Sequence, residues 1–291
     1  MTAPHGTLSA ADWFAPDWPV PPRVHALCTT RSGGVSQSPF DSLNLGTHVG
    51  DDVPAVQANR QRLQATLAAS VPGTRAVFLN QVHGDGVVQL ESSTRDGVEA
   101  DACVTALPGV ACTIMVADCL PVLFAHRSGG VVAAAHAGWR GLAGTEGQGV
   151  LEAVFKRFEA LAQVAKSPIA IKAGANVSQD AEAQDTLVWL GPCIGPHAFE
   201  VGNDVRAAFC GTNAAAQSCF VPSAHAEGKF LCDLAGLARL RLQSLGITAV
   251  YGNDSSPPWC TATNDSRFFS HRRDASALGA TGRLAVAIWL G

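Results

Sequence analysis

The run Val110-Ala-Cys-Thr-Ile-Met-Val116, followed by Pro121-Val-Leu-Phe-Ala125 and Val131-Val-Ala-Ala-Ala-His136-Ala137, decides the fold class. Each piece is short, apolar and bounded by turn residues such as Asp118 and Gly129-Gly130, the pattern of buried strands. Apolar stretches at residues 76–79, 86–90 and 102–105 precede it, so the centre of the chain is dense in strands. Working outward, residues 23–30 read as another strand. Residues 52–70 carry Val53, Val56, Leu63 and Leu67 at helical spacing behind the acidic start Asp51-Asp52, which predicts an amphipathic helix ending before Pro72. Residues 151–164 predict a second helix, and residues 231–245 a third, with Leu234, Leu237, Leu240, Leu242 and Leu245. Short strands at 188–190, 249–251 and 284–289 complete the sheets. Strands and helices do not alternate as a doubly wound sheet requires, and no Gly-x-Gly-x-x-Gly or phosphate-loop motif occurs. An α+β fold built as a mixed-sheet sandwich is expected.

A chain of 291 residues with 47% hydrophobic residues can bury a large core. One domain over residues 23–291 is expected. It follows an irregular arm, residues 1–22, pinned by Trp13 and Trp18. Residues 165–185, rich in Ala, Ser, Gln and Asp without a clear period, read as a surface insertion. The net charge of −4 and the lack of a Lys/Arg run argue against nucleic-acid and anionic-membrane partners and favour a small-molecule substrate. The apolar run 131–137 is far shorter than the ~20 residues that cross a bilayer. The proline-broken opening residues do not read as a signal peptide. A cytoplasmic monomer or weak homodimer is expected. The nine cysteines form no regular framework and are expected to be reduced, with Cys28, Cys103, Cys112, Cys210, Cys219 and Cys232 as small buried hydrophobes.

Three side chains ask for a different account. His83 in Asn80-Gln-Val-His-Gly84, Cys119 in Ala117-Asp-Cys-Leu-Pro121 and His136 in the alanine run all lie at ends of strand-like segments. An imidazole among buried alanines loses about 1–3 kcal/mol unless it is paired, so His136 must bond to something. A His2Cys set suits a catalytic zinc site with an open position. The spacing matches no compact finger, so the residues alone leave core packing and metal ligation both open.

The ordered string Thr30-Arg-Ser-Gly-Gly-Val-Ser36, Ser42-Leu-Asn-Leu-Gly46, Asn59-Arg60, Asn80-Gln-Val-His-Gly84, Ala100-Asp101, Ala117-Asp-Cys-Leu-Pro121, His136-Ala-Gly-Trp-Arg-Gly141, Gly191-Pro-Cys-Ile-Gly-Pro196, Phe199-Glu-Val-Gly202, Phe269-Ser-His-Arg-Arg273 and Thr281-Gly-Arg283 resembles the YfiH-like family. That family is also called the laccase-domain or multicopper polyphenol oxidase family. The resemblance implies an α/β/β/α-type sandwich similar to the catalytic domain of cytotoxic necrotizing toxins. It implies zinc at His83, Cys119 and His136; copper, which outbinds zinc at most such ligands, is expected as a substitute on chemical grounds. The implied activity is phosphorolysis of adenosine, inosine, guanosine and methylthioadenosine, with adenosine deamination as a second activity. The stretches 165–185 and Gly144-Thr-Glu-Gly-Gln-Gly149 depart from the family pattern.

Three rival readings remain open. Multicopper oxidation runs against the absence of a His-x-His pair and the presence of only two methionines. A cysteine hydrolase, or a peptidoglycan-precursor editing factor, would use Cys119 as nucleophile and His136 as base. A non-enzymatic binding module leaves the polar cluster unexplained. For phosphorolysis, Arg31 and Arg60 are the expected phosphate contacts, because a guanidinium is a fixed, bidentate donor. Asn44 is expected to bond substrate hydroxyls or base edges. Asp118 is expected to orient the site or move a proton, or else to cap a turn, and Ser270, His271, Arg272 and Arg273 to brace the pocket.

Overall fold

The computed structural model describes residues 6–166 and 179–291. In chain order it contains β1 (Trp13–Phe14), β2 (Val24–Thr29), α1 (Val53–Ser70), β3 (Arg75–Phe78), β4 (Val87–Gln89), β5 (Ala102–Thr105), β6 (Val110–Val116), β7 (Leu120–His126) and β8 (Val132–Ala137). The helices α2 (Trp139–Ala143), α3 (Val150–Lys166) and α4 (Gln179–Gln184) follow, then β9 (Thr186–Leu190), β10 (Glu200–Val201) and α5 (Asn203–Cys210). The chain closes with β11 (Phe220–Pro222), β12 (Phe230–Cys232), α6 (Leu234–Ser244), β13 (Val250–Gly252) and β14 (Leu284–Leu290).

Among the described residues, the strands form a five-stranded sheet in the order β1-β2-β14-β6-β3, a six-stranded sheet β13-β9-β7-β8-β5-β4 and a three-stranded sheet β10-β12-β11. The two large sheets are mixed: β3 pairs parallel with β6 while β14 pairs antiparallel with it, and β13 pairs parallel with β9 while β7 pairs antiparallel with it. Strand alternation builds the layers. In β8, Val132 and Ala134 face a core shared with Ile114 and Val116 of the other sheet, whereas Ala133, Ala135 and Ala137 face α3 through Phe155 and Phe158. On the far side, Leu63 and Leu67 of α1 pack on Ala111, Met115, Ala285 and Ala287. The result is helix, sheet, sheet, helix, as the resemblance implied. Among the described residues, no helix is long and apolar enough to cross a membrane.

Local differences from the expected elements have local causes. Helix α1 starts at Val53 because Asp52 accepts a hydrogen bond from the Ala55 amide at 3.0 Å, but Val53, in the first turn, is 60% exposed and contributes nothing to the apolar face. The third predicted helix is split. Leu231 belongs to β12, and α6 begins only after Asp233 caps it through the Gly236 amide at 2.8 Å. The arm is less irregular than expected, because Trp13 and Phe14 pair with Thr29 and Cys28. Most of the predicted surface insertion, residues 167–178, lies outside the described residues. The described part that follows is helix α4, in which Glu182 and Ala183 are buried. The cysteines are free; Cys210 and Cys219 are only partly buried, unlike Cys28, Cys103, Cys112 and Cys232.

Candidate metal centre and its cavity

Strand register brings the three singled-out side chains together. Leu120 pairs with Ala137, so the residue before β7, Cys119, meets the residue after β8, Gly138. Ala102 pairs with Ala135, so Asp101 lies beside His136 and accepts its main-chain N–H at 2.7 Å through its carbonyl. His136 continues the row of Val132 and Ala134, the face of β8 that packs into the inter-sheet core. The loop bearing His83 wraps around the Asp101 carboxylate, which accepts the amides of Val82 at 3.2 Å, His83 at 3.0 Å and Gly84 at 2.7 Å. That wrapping holds His83 at φ 63, a left-handed conformation that a non-glycine residue adopts only when its surroundings fix it.

The ligand atoms of His83, Cys119 and His136 all lie within 4.8 Å of one another. Cys119 Sγ is 3.7 Å from His83 Nε2, and the two imidazole rings meet edge to face at a centroid distance of 4.7 Å. Tetrahedral zinc with its usual bond lengths places a sulfur and a nitrogen ligand about 3.6 Å apart. The donor set therefore fits zinc in kind and in span. His136 Nδ1 donates to Asp101 Oδ1 at 2.8 Å, which leaves Nε2 for the cluster. Gly138 is required here by space, since a Cβ would stand 2.8 Å from His83 Cδ2 and 3.1 Å from Cys119 Sγ.

The electrostatics couple these groups. Burial raises the Cys119 thiol, but the charge and hydrogen bonds of His136, joined by those of His83, outweigh it and bring the thiol down to about 6. Burial lowers His136, and Cys119 together with Asp101 outweighs that effect and lifts the imidazole to about 9. Burial likewise raises Asp101, yet the hydrogen bonds from His136 and from the Gly84 and His83 amides hold it below the ordinary carboxylate value.

The cluster lines a cavity of about 320 Å³. Gln81, Met115, Val116, Ala117 and Asp118 line it with the cluster; Trp139, Ile194, Phe199 and Leu234 give apolar lining; His48, His271, Arg272 and Arg283 supply polar and cationic groups. Gln81 is fixed by paired hydrogen bonds with the Met115 main chain, at 2.7 and 2.8 Å. Asp118, at φ 84, accepts the Thr261 hydroxyl at 2.6 Å and the Arg272 amide at 2.6 Å. It thereby ties the turn before β7 to the short π-type turn His271–Ala275.

The expected substrate residues lie elsewhere. Arg31 donates to the carbonyls of Asp41 and Asp265 and pairs with the Asp41 carboxylate at 3.3 Å, facing a separate open depression. Its glycine-rich turn packs on the main chain of Ser42 and Leu43 rather than approaching the cavity. Arg60 donates to the Leu45 carbonyl at 2.9 Å, stacks over Phe78 and faces Asp96. Asn44 is fully buried and spends its amide on Asp51, Gly46 and the Arg283 main chain. Around the cavity, Asp118, His271 and Arg272 line it, while Arg273 turns away to carbonyls of Thr261 and Phe268 and to Asp274. Residues not singled out for a role in the cavity, Asp101, His48, Gln81 and Arg283, complete the site. Gln81, Asp101 and Arg283 stood in quoted motifs, but nothing in their spacing revealed what they face.

Comparison with known proteins agrees with this architecture. Residues 25–291 match the family described as multi-copper polyphenol oxidoreductase laccase. A Pseudomonas aeruginosa protein named purine nucleoside phosphorylase is 50% identical over 278 residues, covering 96% of this chain and 98% of its own length. The Escherichia coli purine nucleoside phosphorylase YfiH is 44% identical, covering 95% and 98%. The crystal structure of a Neisseria meningitidis protein is similar with a TM-score of 0.79 and 42% identity, covering 96% and 99%. That of YlmD from Geobacillus stearothermophilus is similar with a TM-score of 0.74 and 30% identity, covering 99% of each chain. By sequence and fold, the chain belongs to the YfiH-like family, the family described as multi-copper polyphenol oxidoreductase laccase.

Proposed function

We propose that this protein is a purine nucleoside phosphorylase whose reaction takes place in the cavity beside His83, Cys119 and His136. The observation that carries the reading is the convergence of these three ligand atoms within 4.8 Å at the edge of a cavity walled by aromatic and cationic side chains. The names of the relatives from Pseudomonas aeruginosa and Escherichia coli support the same activity.

Zinc bound by His83, Cys119 and His136 would supply a Lewis acid for an oxygen atom entering from the cavity side. The chain's own residues do the rest. Trp139, Ile194, Phe199 and Leu234 offer an apolar surface for a flat purine and keep water from it. Asp101 holds His136 in one tautomer and the His83 loop in place. Asp118 positions Arg272 through the main chain. Phosphorolysis builds positive charge on the ribose carbon as the base departs, so a cation must hold phosphate close to that carbon. Arg272 and Arg283 are the cavity's arginines among the described residues.

A second reading rests on a specific observation. A thiol brought down to about 6 beside an imidazole lifted to about 9 is also the arrangement of a cysteine nucleophile with its base. The phosphorylase reading has a direct test. Protein of measured zinc content is incubated with inosine and with adenosine, with and without phosphate, and the products are identified. Free base released only with phosphate supports phosphorolysis, and inosine formed from adenosine identifies deamination. Cleavage that proceeds equally without phosphate would overturn the phosphorylase reading.

A further inference from the structure

Arg283 differs from the other arginines near the site. Among the described residues, its guanidinium donates only through Nη1, to the carbonyls of Thr281 at 3.2 Å and Gly282 at 3.1 Å. Its Nε and Nη2 have no protein acceptor, and no carboxylate lies within 4.0 Å of it among the described residues. The side chain is nevertheless half-buried in the cavity wall. Two donors of a half-buried guanidinium therefore stay open to the cavity, where an anion can take them. Arg272 is placed differently: it is exposed, and both of its Nη groups donate to the Glu200 carbonyl at 3.1 Å.

Arg283 is also held by a dedicated platform. Its main-chain N–H donates to Asn44 Oδ1 at 2.9 Å, and its carbonyl accepts the Leu45 amide at 3.1 Å. Asn44 is in turn fixed by Asp51 at 2.9 Å, and its carbonyl accepts from buried Asn59 at 2.9 Å. Leu45 is held from its other side by Arg60. Gly46 makes room for the side chain, because a Cβ there would stand 2.8 Å from Arg283 Cγ. The conspicuous polar residues Asn44, Asn59 and Arg60 thus hold one arginine against the cavity.

We propose that Arg283 is the anion-binding residue of this cavity and takes the phosphate co-substrate through its free Nε and Nη2 donors. The identity of the anion as a co-substrate rests on the phosphorolysis reading; the anion site itself does not. A guanidinium edge with two open donors matches two oxygens of an orthophosphate. Arg283 lines the same cavity as His83, Cys119 and His136, so a phosphate held there shares that cavity with the candidate metal ligands.

The test measures two quantities on purified, zinc-analysed protein: the KM for phosphate in inosine cleavage, and the direct dissociation constant for inorganic phosphate by titration calorimetry. Arg283→Gln is expected to raise both by about 10- to 100-fold, the value of a charge-assisted hydrogen bond, while the KM for inosine moves by less than about 3-fold. Arg283→Lys keeps the charge without the fork and is expected to fall between wild type and Arg283→Gln; it also serves if the glutamine variant does not fold. Arg272→Gln is the competing variant. Unchanged phosphate constants in the Arg283 variants, or a loss confined to Arg272→Gln, would overturn the proposal. If the wild type shows no phosphate-dependent cleavage, the phosphorylase reading fails. The calorimetric comparison then still decides the anion site, with an unchanged constant in Arg283→Gln sinking it.

Discussion

Asp101 Oδ1 stands 2.8 Å from His136 Nδ1 and 3.0 Å from the main-chain nitrogen of His83, so one buried carboxylate fixes both histidines of the candidate metal set. Its other oxygen accepts the Gly84 and Val82 amides. An asparagine at this position keeps the shape but turns one acceptor into a donor facing N–H groups. Asp101→Asn is therefore expected to weaken zinc binding by about 10- to 100-fold, measured by competition with a chromogenic chelator. Wild-type affinity in that variant would show that the loop and tautomer are held by something else.

The cavity's chemistry was legible in the sequence to the extent that it depended on strand ends. Cys119 directly precedes β7 and His136 lies at the end of β8, and strand pairing alone brings Cys119 to Gly138 and Asp101 to His136; His83 lies instead in the loop between β3 and β4 and is brought in by the Asp101 carboxylate. What could not be read was direction. Arg31 and Arg60 have the right charge, but their guanidinium groups turn to Asp41, Asp265, Leu45 and Asp96, a choice made by tertiary neighbours that spacing does not reveal. Arg283 faces the cavity because Asn44 and Leu45, from the other end of the chain, grip its backbone. The split of the third helix was legible in principle. Asp233 is a strong cap, but the leucine pattern across it masked the break.

The thiol of Cys119 should reveal its surroundings in metal-free protein. With its titration brought down to about 6, against an ordinary value of about 8.5, the thiolate is already the major form at neutral pH. The rate of alkylation by iodoacetamide is expected to rise with pH through a midpoint near 6. In His136→Ala, which removes the leading stabilising neighbour, the midpoint should move upward. A wild-type midpoint at the ordinary thiol value would contradict the coupling of Cys119 to the two histidines.

Asp274 should make the fold sensitive to acid. Burial raises its carboxyl, but Arg273, the Ser270 amide and the Thr281 hydroxyl outweigh that and hold it below the ordinary carboxylate value. For a carboxyl whose folded value is depressed, the stabilisation is complete above the unfolded value, about 3.9, and is lost as pH falls through the folded one. Asp274→Asn is therefore expected to cost about 2 kcal/mol at neutral pH, with the gap to wild type closing below about pH 4. Urea unfolding of both proteins across that range measures it; a gap that widens in acid would have the wrong sign.

Substitution of Cys119 separates its two candidate roles, because the change to serine replaces one atom. Cys119 sits at a strand end rather than in the centre of either sheet, and the chain has a large apolar core of its own. Cys119→Ser should therefore unfold within a few degrees of the wild type when both are metal-free. A serine hydroxyl is a poorer ligand than a thiolate for a borderline-soft ion, so zinc affinity should fall steeply and phosphate-dependent inosine cleavage with it. Both losses should appear on the same preparation. If cleavage disappears while zinc remains tightly bound, the sulfur is the reacting atom and the cysteine-nucleophile reading takes precedence. If cleavage survives at the wild-type rate, Cys119 is neither a needed ligand nor a nucleophile, and the chemistry belongs to another part of the cavity.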